Sequence, residues 1–194
     1  MRGRGIELCS QLPAHGSLSF RECKLFVNLL KAETEYLEYG SGASTIIAAS
    51  IAKSVVSVEA DTNWVQNTTK QLYTRGLMNV DVRFANIGPV GHLSIPRFRN
   101  ASAFSYCTLP LKAHETFDLV FIDGRFRVAC ASHAYHRLNP HGTLIVHDYR
   151  HRSHYSDINR LYTLTGFVQS MAVFKRKPNR NPSPVFFKHR FDIQ

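Results

Sequence analysis

The sequence predicts an α/β domain: a mostly parallel sheet with helices on both faces, closed by a C-terminal antiparallel hairpin. Three observations carry this reading. Short apolar runs alternate with stretches of helical periodicity. A Gly40-Ser41-Gly42 turn falls where the first apolar run gives way to a helical pattern. The next apolar run ends on an acid, Glu59, about twenty residues beyond that turn.

Taken in order, residues 18–31 place Phe20, Leu25, Phe26, Leu29 and Leu30 near helical spacing. Residues 35–39 read as the first strand, and a small-residue helix with Ile46, Ile47 and Ile51 follows the glycine turn. Residues 54–59 form the second strand. Asp61 is placed to cap the helix that carries Trp64, Val65, Leu72 and Tyr73, because its carboxylate can accept from free backbone N–H groups; Gly76 ends that helix. Strands follow at 80–84, 117–122 and 142–146, with a helix at 128–138 stopped before Pro140. After a weaker helical stretch at 153–161, residues 167–174 and 185–188 flank a basic, proline-rich turn and read as the hairpin. Residues 88–115 are long for a connection, which suits a lid or binding loop, with disorder as the bland alternative.

A chain of 194 residues, 44% of them hydrophobic, fits one domain over 1–194, with 1–16 as an N-terminal extension. No apolar run approaches the roughly 20 residues of a spanning helix, so no membrane and a cytoplasmic location are expected. Cys9, Cys23, Cys107 and Cys130 are too scattered for a metal pair or a disulfide framework and read as reduced thiols, Cys130 as a buried one. The net charge of +10 suits a polyanionic partner. Much of the excess lies after Tyr149, however, with Lys175, Arg176, Lys177 and Arg180 beside Pro178, Pro182 and Pro184, which reads as a solvated turn.

The most informative string is Glu38-Tyr39-Gly40-Ser41-Gly42-Ala43-Ser44-Thr45. Glycines let a backbone turn sharply and approach a ligand, and the following helix offers unpaired N–H donors, so a polar cofactor can lie across such a turn. Alone, the pattern is often only a tight strand-to-helix connection. Glu59 strengthens it, since an acid there can bind ribose hydroxyls. Thr45 stands where a dinucleotide fingerprint has its third glycine, which disfavours a nicotinamide cofactor. Later in the chain, Asp123 ends the fourth strand, and His147-Asp148 follow the fifth. Two carboxylates at neighbouring strand ends can face one crevice, where they bind a hard cation, position an acceptor hydroxyl, or merely cap a turn. His147 is either a proton acceptor near neutral pH or a core side chain.

On Glu38, Gly40 and Gly42 the sequence resembles the class I S-adenosylmethionine-dependent methyltransferases, Rossmann-like enzymes whose first motif is an acid followed by Gly-x-Gly; Ser44 replaces a frequent third small residue. The resemblance implies that Glu38, Gly40, Ser41, Gly42 and Ser44 hold the methionine part of S-adenosylmethionine, Glu59 the ribose, and Asn86 and Ile87 the adenine, with Asp123 contributing beside them. A weaker resemblance to cation-dependent O-methyltransferases places metal-binding acids at Asp123 and Asp148, for Mg²⁺ or another divalent ion, although Tyr149 stands where many members have Asn. It leaves Asp123, His147 and Asp148 as the catalytic candidates.

Arg125, Arg127, Arg150, His151, Arg152 and His154 crowd the same edge, which suits a small-molecule acceptor, anionic or oxygen-rich and methylated at oxygen; a solvated basic rim is the alternative. Within residues 88–115, Phe98, Phe104, Tyr106 and Leu109 are candidates to cover such an acceptor, with Arg97 and Arg99 beside them. Nucleic acid is a second acceptor class. Enzymes that methylate base amino groups use Asn or Asp followed by Pro-Pro and an aromatic after the fourth strand. Ile122-Asp123-Gly124-Arg125 departs from that pattern but leaves ribose or other RNA methylation open. A noncatalytic nucleotide-binding module is the third reading.

Overall fold

The computed structural model describes Glu7, Cys9 and residues 18–97, 102–150 and 152–193. Phe98, Arg99, His151 and nearly all of the expected N-terminal extension lie outside the described residues. From residue 18 onward, the α-helices and strands of the described residues follow in the order α1 (Phe20–Leu29), β1 (Glu35–Tyr39), α2 (Ala43–Ala49), β2 (Ser54–Glu59), α3 (Thr62–Thr74), β3 (Val80–Phe84), β4 (Phe117–Ile122), α4 (Arg127–Ala134), β5 (Leu138–Val146), β6 (Tyr162–Val168), β7 (Met171–Arg176) and α5 (Ser183–His189). The sheet runs β3-β2-β1-β4-β5-β7-β6. Its first five strands are parallel, and β7 pairs antiparallel with both β5 and β6.

Strand alternation sorts the core into two faces. Leu37, Tyr39, Val58, Val120 and Val146 pack with α4 and α5, whereas Tyr36, Val55, Leu119, Phe121 and Ile145 pack with α1, α2 and Leu72 of α3. The expected fold class is therefore the observed one. The strand order reverses between β1 and β4, which opens a crevice at the carboxyl ends of these strands, where open α/β sheets bind ligands.

The hairpin is displaced from its expected place. Its strands are β6 and β7, turning at Gln169-Ser170 with Gln169 at φ +54°, and residues 185–188 belong to helix α5, capped by Pro182 with a proline at its first turn. Pro184 at a helix start costs no hydrogen bond, which is why a proline-rich segment reads as a turn and yet opens a helix. The helix expected at 128–138 stops at Ala134, and β5 already begins at Leu138, which pairs with Phe117 of β4; it passes through Pro140 in exposed backbone and resumes pairing with β4 from Thr143 onward.

The basic segment is a solvated turn only in part: Pro178 and Asn179 form an exposed turn followed by exposed Arg180, but Lys175 and Arg176 belong to β7. Lys175 Nζ donates to His141 O and Thr143 Oγ1 (2.7 and 2.9 Å), Arg176 Nη1 to Tyr135 O and Leu138 O (both 3.1 Å), and Lys177 Nζ to Asn159 O (2.6 Å). Lys175 and Arg176 thus bond groups around the start of β5, and Lys177 a carbonyl just before β6, away from the crevice. The expectation of four reduced thiols also fails: Cys9 and Cys23 form a disulfide, while Cys107 and Cys130 are free and buried. Among the described residues, no helix is long and apolar enough to cross a membrane.

Candidate functional site

The turn after β1 is built around Gly40. Its φ is +103°, and a Cβ there would lie 2.7 Å from Gly124 N, so only glycine permits the two loops after β1 and β4 to touch. Tyr39 O accepts from both Asp123 N and Gly124 N (2.9 and 2.6 Å), which fixes the end of β4 against the end of β1. The resulting cleft is lined by Leu18, Gly40, Ser41, Gly42, Ala43, Ser44 and Ile46 on one side. Glu59, Trp64, Gln71, Leu93, Ser94, Tyr106, Asp123, Gly124 and Arg125 complete it.

Gly40, Ser41, Gly42, Ser44, Glu59 and Asp123 thus meet at one cleft, as expected. Glu38 does not reach it. The carboxylate lies fully buried beneath the turn, where Oε2 accepts from Tyr36 Oη (3.0 Å) and Ser44 Oγ (2.8 Å), and Oε1 from Ser57 Oγ (2.7 Å) and Thr45 Oγ1. Burial outweighs these four donors and pushes its pKa up to about 7. Glu38 therefore braces the glycine turn from behind and does not line the cleft. Asn86 and Ile87 also miss the cleft: Asn86 is exposed and caps Gly88 N (3.1 Å), and Ile87 is buried in the core. Leu93 and Ser94 reach it in their place. Both have φ of +56°, a left-handed conformation that non-glycine residues hold only where the surroundings impose it.

Glu59 accepts four hydrogen bonds, three of them on one oxygen. Oε1 accepts from Ala60 N (2.7 Å), Asp61 N (2.9 Å) and Ser94 Oγ (2.7 Å), and Oε2 accepts from Ser41 N (3.0 Å). Asp61 caps α3 as expected, accepting from Asn63 N at 2.8 Å. Trp64 of that helix is 40% exposed and stands at the cleft wall. Of the residues expected to cover the acceptor, Tyr106 lines the cleft, whereas Phe104 and Leu109 are exposed and do not.

Behind Asp123 lies a charged cluster. His147 Nδ1 is 2.9 Å from Asp123 Oδ1 and 3.8 Å from Asp148 Oδ1, and its Nε2 is 3.6 Å from Glu22 Oε2. Burial works against the charged ring, but the hydrogen bond to Asp123 and the negative charges of Asp123, Asp148 and Glu22 prevail and raise its pKa. Glu22 was not legible as a site residue, because Ser19-x-x-Glu22 is a capping-box pattern, and it does cap α1. Its other oxygen accepts from Ser170 N (3.0 Å) and Oγ (2.8 Å), joining α1 to the β6–β7 turn. Burial opposes ionisation of Glu22, yet the Ser170 and Ser19 hydrogen bonds lower its pKa. Neither His147 nor Asp148 lines the cleft. Only Asp123 touches both the cleft and the cluster.

Arg125 is the cation at the cleft wall. It makes no ion pair among the described residues, and its Nε is buried without a hydrogen-bond partner.

Comparison with solved structures matches this architecture. A methyltransferase-like protein from Silicibacter pomeroyi superposes with a TM-score of 0.71 at 26% identity, covering 82% of this chain and 89% of its own. The chain has the fold of the class I S-adenosylmethionine-dependent methyltransferases. Two more distant methyltransferases share the fold. An rRNA methylase from Streptococcus thermophilus has a TM-score of 0.52 at 13% identity, over 78% of this chain and 91% of its own. A precorrin methyltransferase from Geobacter metallireducens has 0.56 at 12%, over 87% and 96%. No protein-family model and no curated protein matches the sequence.

In this chain the ligand atoms of Asp123, His147 and Asp148 lie within 4.8 Å of one another, the donor set that a divalent cation would need. The surroundings do not fit such an ion. Arg127 Nη2 lies 3.4 Å from Asp123 Oδ1, its Nη1 lies 3.3 Å from Asp148 Oδ2, and Arg152 Nη2 lies 3.4 Å from the same Asp148 oxygen. Two unit charges 4 Å apart interact by about 4 kcal/mol at an effective dielectric of 20, and a dication doubles the repulsion from each guanidinium. Arginine cannot shed its proton to relieve it.

Proposed function

We propose that this chain transfers the methyl group of S-adenosylmethionine to an oxygen atom of a small acceptor that carries an anionic group. The observation that carries the reading is the cleft itself, in which the glycine turn, Glu59, Asp123 and the unpaired Arg125 come together. In this reading Glu59 takes the ribose hydroxyls, and Trp64 and Leu93 provide apolar walls beside it for the adenine. The turn at Gly40, Ser41, Gly42 and Ser44 underlies the methionine part, and Asp123 faces the reacting end.

Transfer would proceed by displacement. A lone pair of the acceptor oxygen forms the C–O bond while the C–S bond breaks, and the sulfonium leaves as a neutral thioether, S-adenosylhomocysteine. The acceptor proton passes to the Asp123–His147 pair as the bond forms, because a protonated ether is a strong acid. Most of the rate would come from aligning oxygen, methyl carbon and sulfur, which Asp123 supports by accepting from the acceptor hydroxyl. Arg125 supports an anionic acceptor, since a half-buried guanidinium gains most from a bidentate oxyanion.

Two facts weigh against nucleic acid as the acceptor. Lys175 and Arg176 are spent on groups around the start of β5 and Lys177 on the carbonyl of Asn159, and Asp123-Gly124-Arg125 lacks the stacking aromatic of base methylation. The test is a screen with radiolabelled S-adenosylmethionine against hydroxylated carboxylates and phosphates, their uncharged analogues, and RNA. Transfer to the anionic small molecules is expected, with Arg125→Met raising their KM about ten- to a hundredfold and leaving uncharged analogues unaffected. Transfer to RNA alone would reject the reading, as would failure of the chain to bind S-adenosylhomocysteine.

A further inference from the structure

We infer that Arg127 is the resident cation of the Asp123–Asp148 site, doing with a fixed side chain what a divalent metal would otherwise do there. It is a positioning residue for Asp123, and the site works without a metal.

The guanidinium is inserted between the ends of two strands. Nε donates to Gly124 O (3.0 Å), Nη1 to His147 O (2.6 Å) and to Asp148 Oδ2 (3.3 Å), and Nη2 to Asp123 O (3.1 Å). Nη2 is also 3.4 Å from Asp123 Oδ1. One side chain thus holds three backbone carbonyls and two carboxylates from the loops after β4 and β5. These are the groups that a cation at this place must hold in register. The side chain is 5% exposed, so its charge is poorly screened and its geometry fixed by packing.

Its position in the chain is otherwise unfavourable. Arg127 is the first residue of α4, where the helix dipole disfavours positive charge, and the two acids offset that cost. Phe126 before it and Asp148 opposite it both have positive φ, +53° and +51°. Such backbone in non-glycine residues is kept only where surrounding contacts over-determine it, and here it brings guanidinium and carboxylate together. Arg152 adds a second cation on Asp148. Each acid is therefore already neutralised, and Asp123 keeps its cleft-facing side for the acceptor.

The experiment uses Mn²⁺ as the probe and the intact chain, with bound ion counted by electron paramagnetic resonance, so that it is read without turnover and independently of the proposed acceptor. Wild type and Arg127→Lys should bind no Mn²⁺ at this site. Arg127→Gln should gain one bound ion, at least about tenfold tighter than any wild-type binding, and the double variant Arg127→Gln with Asp148→Asn should lose it. If Arg127→Gln does not fold alone, its folding in the presence of Mn²⁺ would support the inference equally. Stoichiometric Mn²⁺ binding by wild type that Asp148→Asn abolishes would overturn it. So would an Arg127→Gln chain that folds without gaining a site, or that folds neither with nor without the ion.

Discussion

Ser94 Oγ donates to Glu59 Oε1 at 2.7 Å, so a residue of the long loop after β3 competes for the carboxylate to which the proposed function assigns the ribose. In that reading, cofactor binding exchanges one hydroxyl for another. Ser94→Ala removes the competitor and should tighten S-adenosylhomocysteine by about two- to tenfold, the worth of one neutral hydrogen bond. Glu59→Ala should weaken it by about ten- to a hundredfold. Calorimetry checks both. Weaker binding by Ser94→Ala would mean that Ser94 contacts the cofactor directly.

Glu38 makes stability fall as pH rises from about 4.5 to about 7, because it is protonated in the fold up to about 7 while the unfolded chain releases that proton near 4.5. The folded state then holds more protons at this group across the window, a loss at neutral pH on the order of 3 kcal/mol. His147 acts in the same direction. Its raised pKa contributes stability that is full below the unfolded value of 6.5 and is lost as pH rises through the folded value. His133 acts in the opposite direction: burial lowers its pKa to about 4, so the unfolded chain holds more protons there up to about 6.5 and stability rises with pH across that window, offsetting Glu38. Glu22, Glu35, Glu115 and Asp157 have lowered pKa values, and their contribution disappears as pH falls in acid. The Glu38 contribution is therefore read as a difference: in denaturant titrations from pH 5 to 8, wild type should lose stability relative to Glu38→Gln as pH rises. A difference between the two that does not change with pH would contradict the assignment.

Gly40→Ala and Gly42→Ala should separate folding from binding. Alanine at position 40 combines φ of +103° with a Cβ 2.7 Å from Gly124 N, and should destabilise the chain by more than about 2 kcal/mol. Gly42 has φ of 170°, extended backbone, and a Cβ there meets nothing within 4 Å, so alanine should fold normally. Its methyl group would enter the cleft and reduce cofactor affinity. Equal melting temperatures for the two variants would remove the special role of Gly40.

Residues that act within one element were readable from the chain. The boundaries of β1, β2, β3 and β4 follow from β-branched and aromatic runs between turn residues, and the Asp61 cap from helix chemistry. The fifth strand and the hairpin were misread. Pro140 and Pro184 carry opposite meanings in exposed strand backbone and at a helix start, and only neighbouring elements decide between them. Glu38 was misread for a similar reason: its place before Gly40 fits a ligand contact, but strand alternation turns its side chain toward Tyr36, Ser44 and Ser57.

The sequence by itself determined the sheet's parallel order, the glycine turn, and the acids at the ends of β2 and β4, because these depend on periodicity and on residues adjacent along the chain. Tertiary structure alone decided which groups share a charge. Glu22, Asp123, Arg127, His147 and Asp148 come from α1, α4 and the ends of β4 and β5. Sequence spacing carries no record of a distance across a sheet, and in a poorly screened interior that distance decides whether a carboxylate pair meets a metal or an arginine.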